Sequence, residues 1–320
     1  MLPSTNRVDL SKVSKKKIWI YGAAYSGKTT FADTAPTPLN LNTDGNVKYV
    51  TMPRLAIKDE VKLNGRIVER TYAWDVFKSA IDDLEKGSDF ETIVVDLLED
   101  TYQHCRLYMY KELNIDHESD NSFKAWDMID TEFQKTLKRL LNLDYNIILI
   151  SHEDTSKDLT KKSGDKITSI RPNIKEKLAN KIAGMVDITA RVVVEDDGSR
   201  SLKFKQDETV FGGGRLKGIE ATKCGLTWDD LMMVYDQANK AMSAKFAKAT
   251  ASDKNENAAK TEVVKEPEAI KTEKVVNNVP EMITPTDEDI SIHTSSTNNA
   301  TTENNVVEEA RPVRRTRKVR

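Results

Sequence analysis

The stretch WIYGAAYSGKTTF, residues 19–31, decides the fold of this chain. It contains the spacing G-x-x-x-x-G-K-[ST] without deviation, from Gly22 to Thr29. In such a motif the glycines let backbone N–H groups curl around a phosphate, and the dipole of the following helix favours negative charge. The apolar run before Gly22 is typical of a strand, and a helix is expected after Lys28. We therefore predict a phosphate-binding loop between a strand and a helix.

The polar residues of this motif predict a nucleotide bound together with a metal ion. The Lys28 amine should reach the β- and γ-phosphates of ATP, and the Thr29 hydroxyl should bind Mg²⁺. A second metal ligand is expected at Asp96, which ends the apolar strand TIVVD in the Walker B pattern. The alternative is that Asp96 binds no metal and only caps the helix that follows the strand. The predicted cofactor-binding residues are Gly22, Ala23, Ala24, Tyr25, Ser26, Gly27, Lys28, Thr29 and Thr30.

ATP hydrolysis also needs a group that orients the attacking water. In one large class of P-loop proteins a glutamate directly follows the Walker B aspartate, but this chain has Leu97 there. The alternative is Asp44 in LNLNTDG, at the end of the strand predicted after the first helix, unless this residue only forms an Asp-Gly turn. Glu99 is a weaker candidate because it lies on the helix beyond Asp96. His152, at the end of the strand IILIS, is either a sensor of the γ-phosphate or a surface group.

The bulk composition excludes several classes of protein. The net charge is −2 although 31% of the residues are charged, so a nucleic-acid surface would have to be local. The two cysteines, Cys105 and Cys224, are too far apart to form a CxxC pair, which argues against a disulfide framework or a zinc site. The N-terminus lacks a secretory pattern, and no apolar run approaches the roughly 18 residues of a membrane helix. We expect a cytoplasmic protein that does not bind membranes.

The order of the predicted elements indicates an α/β fold. Strands that alternate with helices favour a mostly parallel central sheet flanked by helices. The strands lack polar alternation, as buried parallel strands do. A hairpin is expected to turn at Asp197-Gly198, and a last helix is expected over 227–242. The other predicted strands are 17–21, 39–44, 91–96 and 145–151, and the other predicted helices are 29–34, 74–87, 97–113 and 123–143.

The composition changes near residue 245 and predicts a domain boundary. Phe246 is the last aromatic residue, and the chain beyond it has no periodic apolar face. We predict an N-terminal extension over 1–16, a P-loop ATPase domain over 17–245 and a disordered tail over 246–320. The tail ends in RPVRRTRKVR, which is either a solubilising end or an electrostatic hook for nucleic acid.

Four segments, in this order, resemble the phage RecA-like ATPases: GAAYSGKTTFA, LNTDGN, TIVVDLLED and IILISHE. Members of this family are AAA-type phage nucleotide-binding proteins, and some are single-strand annealing recombinases related to RecA and RadA. The resemblance covers about residues 15–240. It implies a RecA-like P-loop core that hydrolyses ATP, with Asp44 in the place of the water-orienting acid and His152 in that of the sensor. RecA itself has a glutamate where Asp44 stands.

The resemblance also implies partners. Such cores assemble into rings or filaments on single-stranded DNA, and a single-strand-binding protein of phage or host is a further expected partner. A basic residue of the neighbouring subunit completes each site, and the loop after the sensor strand, here 153–177, faces the DNA. The loop could equally be a solvated hairpin around Ser163-Gly164. The candidates for the basic residue are Lys175, Lys177, Lys181, Arg191 and Arg215, and the loop lysines are Lys157, Lys161, Lys162 and Lys166.

Three functions remain open from the sequence. The first is a DNA-dependent ATPase for phage recombination or replication. The second is a small-molecule kinase, such as a nucleotide kinase. Such an enzyme needs an arginine-rich lid, and the lack of any arginine other than Arg171 between residues 151 and 190 argues against it. The third is a nucleotide switch or assembly factor that binds ATP without hydrolysing it, and the absence of a glutamate next to Asp96 keeps this alternative open.

Overall fold

Runs of buried β-branched and aromatic residues form the central strands. The first strand, β1 (Lys17–Gly22), and the Walker B strand, β6 (Thr92–Asp96), are buried along almost their whole length. Val, Ile, Tyr and Trp suit a pleated surface that is covered on both faces. These strands therefore lie in the interior of the sheet.

The structure is a computed structural model that describes residues 15–46, 48–121, 124–160, 166–204, 209–216, 219 and 221–261. The chain divides into two units, Met1–Val264 and Lys265–Arg320, and all the described residues belong to the first. The helices are α1 (Lys28–Asp33), α2 (Ala73–Glu85), α3 (Leu98–Leu113), α4 (Ala125–Leu141), α5 (Glu176–Ala183) and α6 (Trp228–Thr261). The remaining strands are β2 (Pro38–Asn42), β3 (Arg54–Ala56), β4 (Glu60–Asn64), β5 (Ile67–Thr71), β7 (Asn146–Thr160), β8 (Lys166–Pro172), β9 (Ile188–Val194), β10 (Arg200–Lys203), β11 (Gly213–Gly214) and β12 (Lys223–Gly225).

In the described part of the chain, one large sheet has the strand order β12-β10-β9-β1-β7-β6-β2-β3. The six strands from β9 to β3 pair in parallel, and the sheet becomes antiparallel at β10 and β12. Strand β7 separates the phosphate-loop strand β1 from the Walker B strand β6. The predicted α/β fold with a mostly parallel sheet is confirmed.

Two buried clusters cover the two faces of this sheet. Alternate side chains of β1 go to opposite faces, so Trp19 packs in one cluster and Ile18 and Ile20 pack in the other. The first cluster takes apolar side chains from α2, α3, α4 and α5, and the second takes them from α1 and α6. Helices on both faces explain why the sequence of the central strands lacks polar alternation.

Three features differ from the sequence-based expectation. The described part of the segment 153–177 is mainly not the loop that the resemblance implied but agrees with the hairpin alternative, because β7 continues to Thr160 and pairs antiparallel with β8. An additional hairpin of β4 and β5 was not predicted, since its polar and exposed residues give a weak strand pattern. Helix α6 extends to Thr261, so the first part of the predicted tail is helical. The Ala- and Lys-rich sequence there has high helix propensity although it lacks an apolar face.

Some predictions fall outside the described residues. These are the extension over 1–14, the loop residues Lys161, Lys162 and Ser163-Gly164, and the tail from 262 with its basic end. In the part that is described, no helix has the length and apolar character that a bilayer crossing requires.

Candidate functional site

The two glycines of the phosphate loop meet different geometric demands. Gly27 precedes α1 with a φ of 98°, a left-handed conformation that favours glycine. A Cβ at Gly22 would lie 2.7 Å from the carbonyl oxygen of Val192 on the neighbouring strand β9. The loop therefore needs glycine at one position for its backbone angle and at the other for its close contact.

Lys28 is enclosed by the loop that precedes it. Its Nζ donates hydrogen bonds to the carbonyl oxygens of Gly22 at 3.0 Å and Ala23 at 2.7 Å, and the residue is 6% exposed. Burial lowers the pKa of Lys28, and the carboxylates of Asp96 and Glu99 are the largest influences in the opposite direction. The structure thus places a cation within the loop, among acidic side chains.

The two predicted metal ligands contact each other. The hydroxyl of Thr29 donates a hydrogen bond to Oδ2 of Asp96 at 2.9 Å. Asp96 is 3% exposed, and burial raises its pKa to about 6 although the bond from Thr29 acts in the opposite sense. This pair of oxygens fits Mg²⁺, which usually takes only one or two protein oxygens and completes its shell with water and phosphate. Within the described ranges, no group of three or more His, Cys, Asp or Glu residues could hold a metal ion.

The other loop residues leave polar groups available to a ligand. Ala23, Ala24 and Thr30 are exposed, and Tyr25 is 90% exposed with a φ of 62°. The hydroxyl oxygen of Ser26 is buried and has no hydrogen-bond partner. Buried hydroxyls are normally paired, so the orphan at Ser26 fits a loop that binds an oxygen-rich group.

Asp44 lies just beyond β2 in a tight turn. Its Oδ1 accepts hydrogen bonds from Nδ2 of Asn42 and from the backbone N–H of Asn46, both at 2.9 Å. Its charge opposes the fall of the Lys28 pKa and contributes to the raised pKa of Asp96, so it lies within electrostatic range of the phosphate loop. The turn that the sequence left as an alternative is present, and a role of Asp44 in hydrolysis remains a prediction.

His152 lies beside the phosphate loop, because the pairing of β1 with β7 sets Gly22 opposite His152. Both its backbone N–H, at 2.8 Å, and its ring Nδ1, at 3.0 Å, bond to Oε1 of Glu99. The hydrogen bond to Glu99 is the main cause that raises the pKa of His152. The sequence could indicate each residue separately but not their contact. The sensor role of His152 remains a prediction.

An ion pair that the sequence did not predict includes Glu153, the residue that follows His152. Nε of Arg191 donates to Oε2 of Glu153 at 2.9 Å, and both side chains are largely buried. The Glu153 carboxylate opposes the fall of the Lys28 pKa. Arg191 was one candidate for a residue that completes a neighbouring site, and in the structure it has a partner in its own chain.

The remaining candidates for that role lie at several places on the chain. Nζ of Lys175 is 3.0 Å from the Tyr102 hydroxyl and 3.0 Å from the centroid of the Trp126 ring. Lys177 is exposed on α5, and Lys181 lines a surface groove beside α4. The backbone N–H of Arg215 bonds to the carbonyl oxygen of Asp187. A role in a neighbouring site stays a prediction for each of these residues.

Two residues distant in sequence flank the phosphate loop. A Cβ at Gly27 would lie 3.0 Å from Cδ2 of Leu226 and 3.3 Å from Cδ of Arg200. Arg200 begins β10 and Leu226 follows β12, so only the pairing of strands brings them to the loop. No local sequence signal indicates either residue.

Comparison with known proteins places this site in a family. A search of curated proteins gives no significant match. Residues 14–216 match the AAA domain family AAA_24, and this span contains the phosphate loop, Asp96 and His152. The match covers more than half of the chain and agrees with the enclosed Lys28 and the paired Thr29 and Asp96. The chain therefore belongs to this AAA domain family of P-loop ATPases.

Proposed function

We propose that the protein is a magnesium-dependent ATPase of phage origin that acts on single-stranded DNA in recombination, annealing or replication. The observation that carries the ATPase part is the contact between Thr29 and Asp96 beside the enclosed Lys28. This arrangement combines a phosphate-binding cation with two oxygen ligands for a hard cation. The DNA part rests on the resemblance of the sequence to phage RecA-like ATPases.

Each group of the site has a defined task in this proposal. When bound, Mg²⁺ neutralises phosphate charge, and Thr29 and Asp96 would hold it. The backbone N–H groups of the loop bind phosphate oxygens, and Lys28 stabilises the charge that develops on the transferred group. Asp44 is the residue that the sequence suggests for orienting the attacking water, and His152 is the suggested sensor of the γ-phosphate.

Measurement of ATP hydrolysis with and without single-stranded DNA tests the proposal. We expect hydrolysis that depends on magnesium, increases with DNA and disappears in Lys28→Ala. Tight ATP binding without phosphate release would support a nucleotide switch instead. Transfer of the γ-phosphate to an added nucleoside monophosphate would support a kinase. Hydrolysis that DNA does not change would leave an ATPase with another target.

The β7–β8 hairpin is the proposed contact with DNA. Lys157 and Lys166 are exposed on its two strands, and Lys161 and Lys162 lie between these strands in sequence. The paired part of the hairpin begins at Glu153, directly after His152, so the base of the hairpin adjoins the nucleotide site. Lysines on such an arm can neutralise phosphates without reading bases, which suits a protein that acts on any sequence.

A salt titration separates this contact from a general charge effect. Alanine at Lys157, Lys161, Lys162 and Lys166 should weaken oligo-dT binding and make the slope of log K against log salt shallower by roughly 0.7 for each lost contact. The matched control replaces four lysines elsewhere with the same change in net charge, at Lys62, Lys86, Lys111 and Lys138. An unchanged slope in the hairpin variant would make the basic end, Arg311–Arg320, the leading candidate.

We also propose that the protein self-associates into a ring or filament in the cytoplasm of the host cell, with a single-strand-binding protein as a further partner. Support comes from the resemblance, since RecA-type cores complete their sites across a subunit interface. Sedimentation of the protein with MgATP and single-stranded DNA tests this, and a monomer under all conditions would contradict it.

A further inference from the structure

The Glu99 carboxylate is held by only one of its two oxygens. Oε1 accepts the two bonds from His152, whereas Oε2 is buried and receives no hydrogen bond. The side chain is 13% exposed, so solvent does little to satisfy that oxygen. A buried carboxylate oxygen without a donor costs free energy. Such a group is retained where it meets a polar ligand or takes part in chemistry.

The position of Glu99 brings its carboxylate close to the phosphate loop. Glu99 lies at the start of α3, just after Asp96, and contacts the residue opposite Gly22. After Asp96, it is the largest acidic influence on the Lys28 pKa. Asp44 differs, because it is exposed and its Oδ1 already accepts two hydrogen bonds within its own turn.

We propose that Glu99, rather than Asp44, orients and deprotonates the attacking water, and that His152 is the positioning residue that fixes Glu99. In this step the water oxygen forms a bond to the γ-phosphorus while its proton passes to Oε2 of Glu99. The bond between the γ-phosphorus and the bridging oxygen breaks, and ADP leaves with the electron pair. Glu99 then releases the proton to solvent. The proposal rests on the proposed ATPase function.

The closing experiment compares single-turnover hydrolysis and nucleotide binding in a set of matched variants. Glu99→Gln should reduce the rate of hydrolysis by about 10²- to 10⁴-fold, the usual contribution of a general base. Its affinity for a fluorescent, non-hydrolysable ATP analogue should stay within about threefold of wild type, because interactions that act only in the transition state do not affect ground-state binding. After incubation with MgATP and rapid gel filtration, the variant should retain ATP, whereas the wild type should retain ADP.

A neighbouring acid serves as the control. Asp100→Asn, which removes a half-buried charge next to Glu99, should hydrolyse ATP within about threefold of wild type. Asp44→Asn tests the competing assignment, and we expect it to lose far less of the hydrolysis rate than Glu99→Gln loses. The comparison with Asp100 separates a specific role of Glu99 from a general loss of negative charge.

His152 variants test the positioning role. His152→Ala should lower the hydrolysis rate at least tenfold while analogue affinity persists, and His152→Asn should recover much of that rate because its amide offers a donor where Nδ1 stands. Thermal unfolding of each variant shows whether it folds.

The outcomes distinguish failure of the proposed function from failure of the role of Glu99. A wild type that neither binds nor hydrolyses ATP would overturn both. If the wild type hydrolyses ATP while folded Glu99→Gln keeps its rate, only the role of Glu99 fails. Loss of hydrolysis in Asp44→Asn alone would return the water-orienting role to Asp44.

Discussion

Replacement of Gly22 by alanine tests the contact between the phosphate loop and strand β9. The added Cβ would lie 2.7 Å from the carbonyl oxygen of Val192 and 3.1 Å from Oγ of Ser26, against ordinary contacts of 3.4 Å or more. Because the nearest atom is backbone in a paired strand, β1 and β9 would have to separate by about 0.7 Å to restore an ordinary contact. Overpacking of this kind typically costs about 1–3 kcal/mol.

This cost translates into a measurable change in melting temperature. In a domain of this size each kcal/mol lowers the melting temperature by about 2–4 °C, so Gly22→Ala should melt about 2–12 °C below wild type. Binding of a fluorescent ATP analogue should weaken as well, since the carbonyl oxygen of Gly22 is an acceptor for Nζ of Lys28. Thermal unfolding followed by circular dichroism, and an equilibrium titration with the analogue, measure the two effects.

Gly87→Ala is the matched control. Gly87 has a φ of 98° and no atom within 4 Å of a built Cβ, so its replacement meets backbone strain but no clash. We expect a loss of about 1 kcal/mol and unchanged analogue affinity for this variant. If Gly22→Ala melted within a degree of wild type and bound the analogue normally, the close approach of β1 and β9 at the loop would be wrong.

Three further predictions follow from the site and from the end of the chain. Lys28→Ala should lose tight ATP binding or turnover, because removal of the amine should cost several kcal/mol of transition-state stabilisation. Normal turnover in this variant would contradict the enzymatic proposal. Asp96→Asn in magnesium-free buffer should be more stable than wild type by about 3 kcal/mol at pH 8 and nearly equal at pH 3.5, measured by urea denaturation. The reason is that the pKa of Asp96 is about 6 in the folded protein against 3.8 in the unfolded chain, so the wild type loses about 1.4 kcal/mol of stability for each step of one pH unit between these two values. A stability difference that does not depend on pH would contradict this. Chains shortened to end at 246 or at 261 should melt within a few degrees of the full chain, because no aromatic residue follows Phe246. A large drop would show that the removed residues pack on the domain.

The sequence by itself determined the phosphate loop and the class of fold. The spacing from Gly22 to Thr29 encodes a local backbone path, and the continuous apolar run ending at Asp96 encodes a buried strand. Both signals depend on neighbours in the chain, so periodicity and residue type suffice to read them. The family match agrees with both.

Only the tertiary structure decided which polar groups meet. Glu99 was a weak candidate from sequence, because nothing local shows that its carboxylate contacts His152 on β7. The sequence indicated no partner for Arg191. The pairing of β9 with β1 and of β1 with β7 brings this residue to Glu153. The physical reason is that the order and register of the strands set such contacts, and that order depends on the packing of helices on both faces rather than on local pattern.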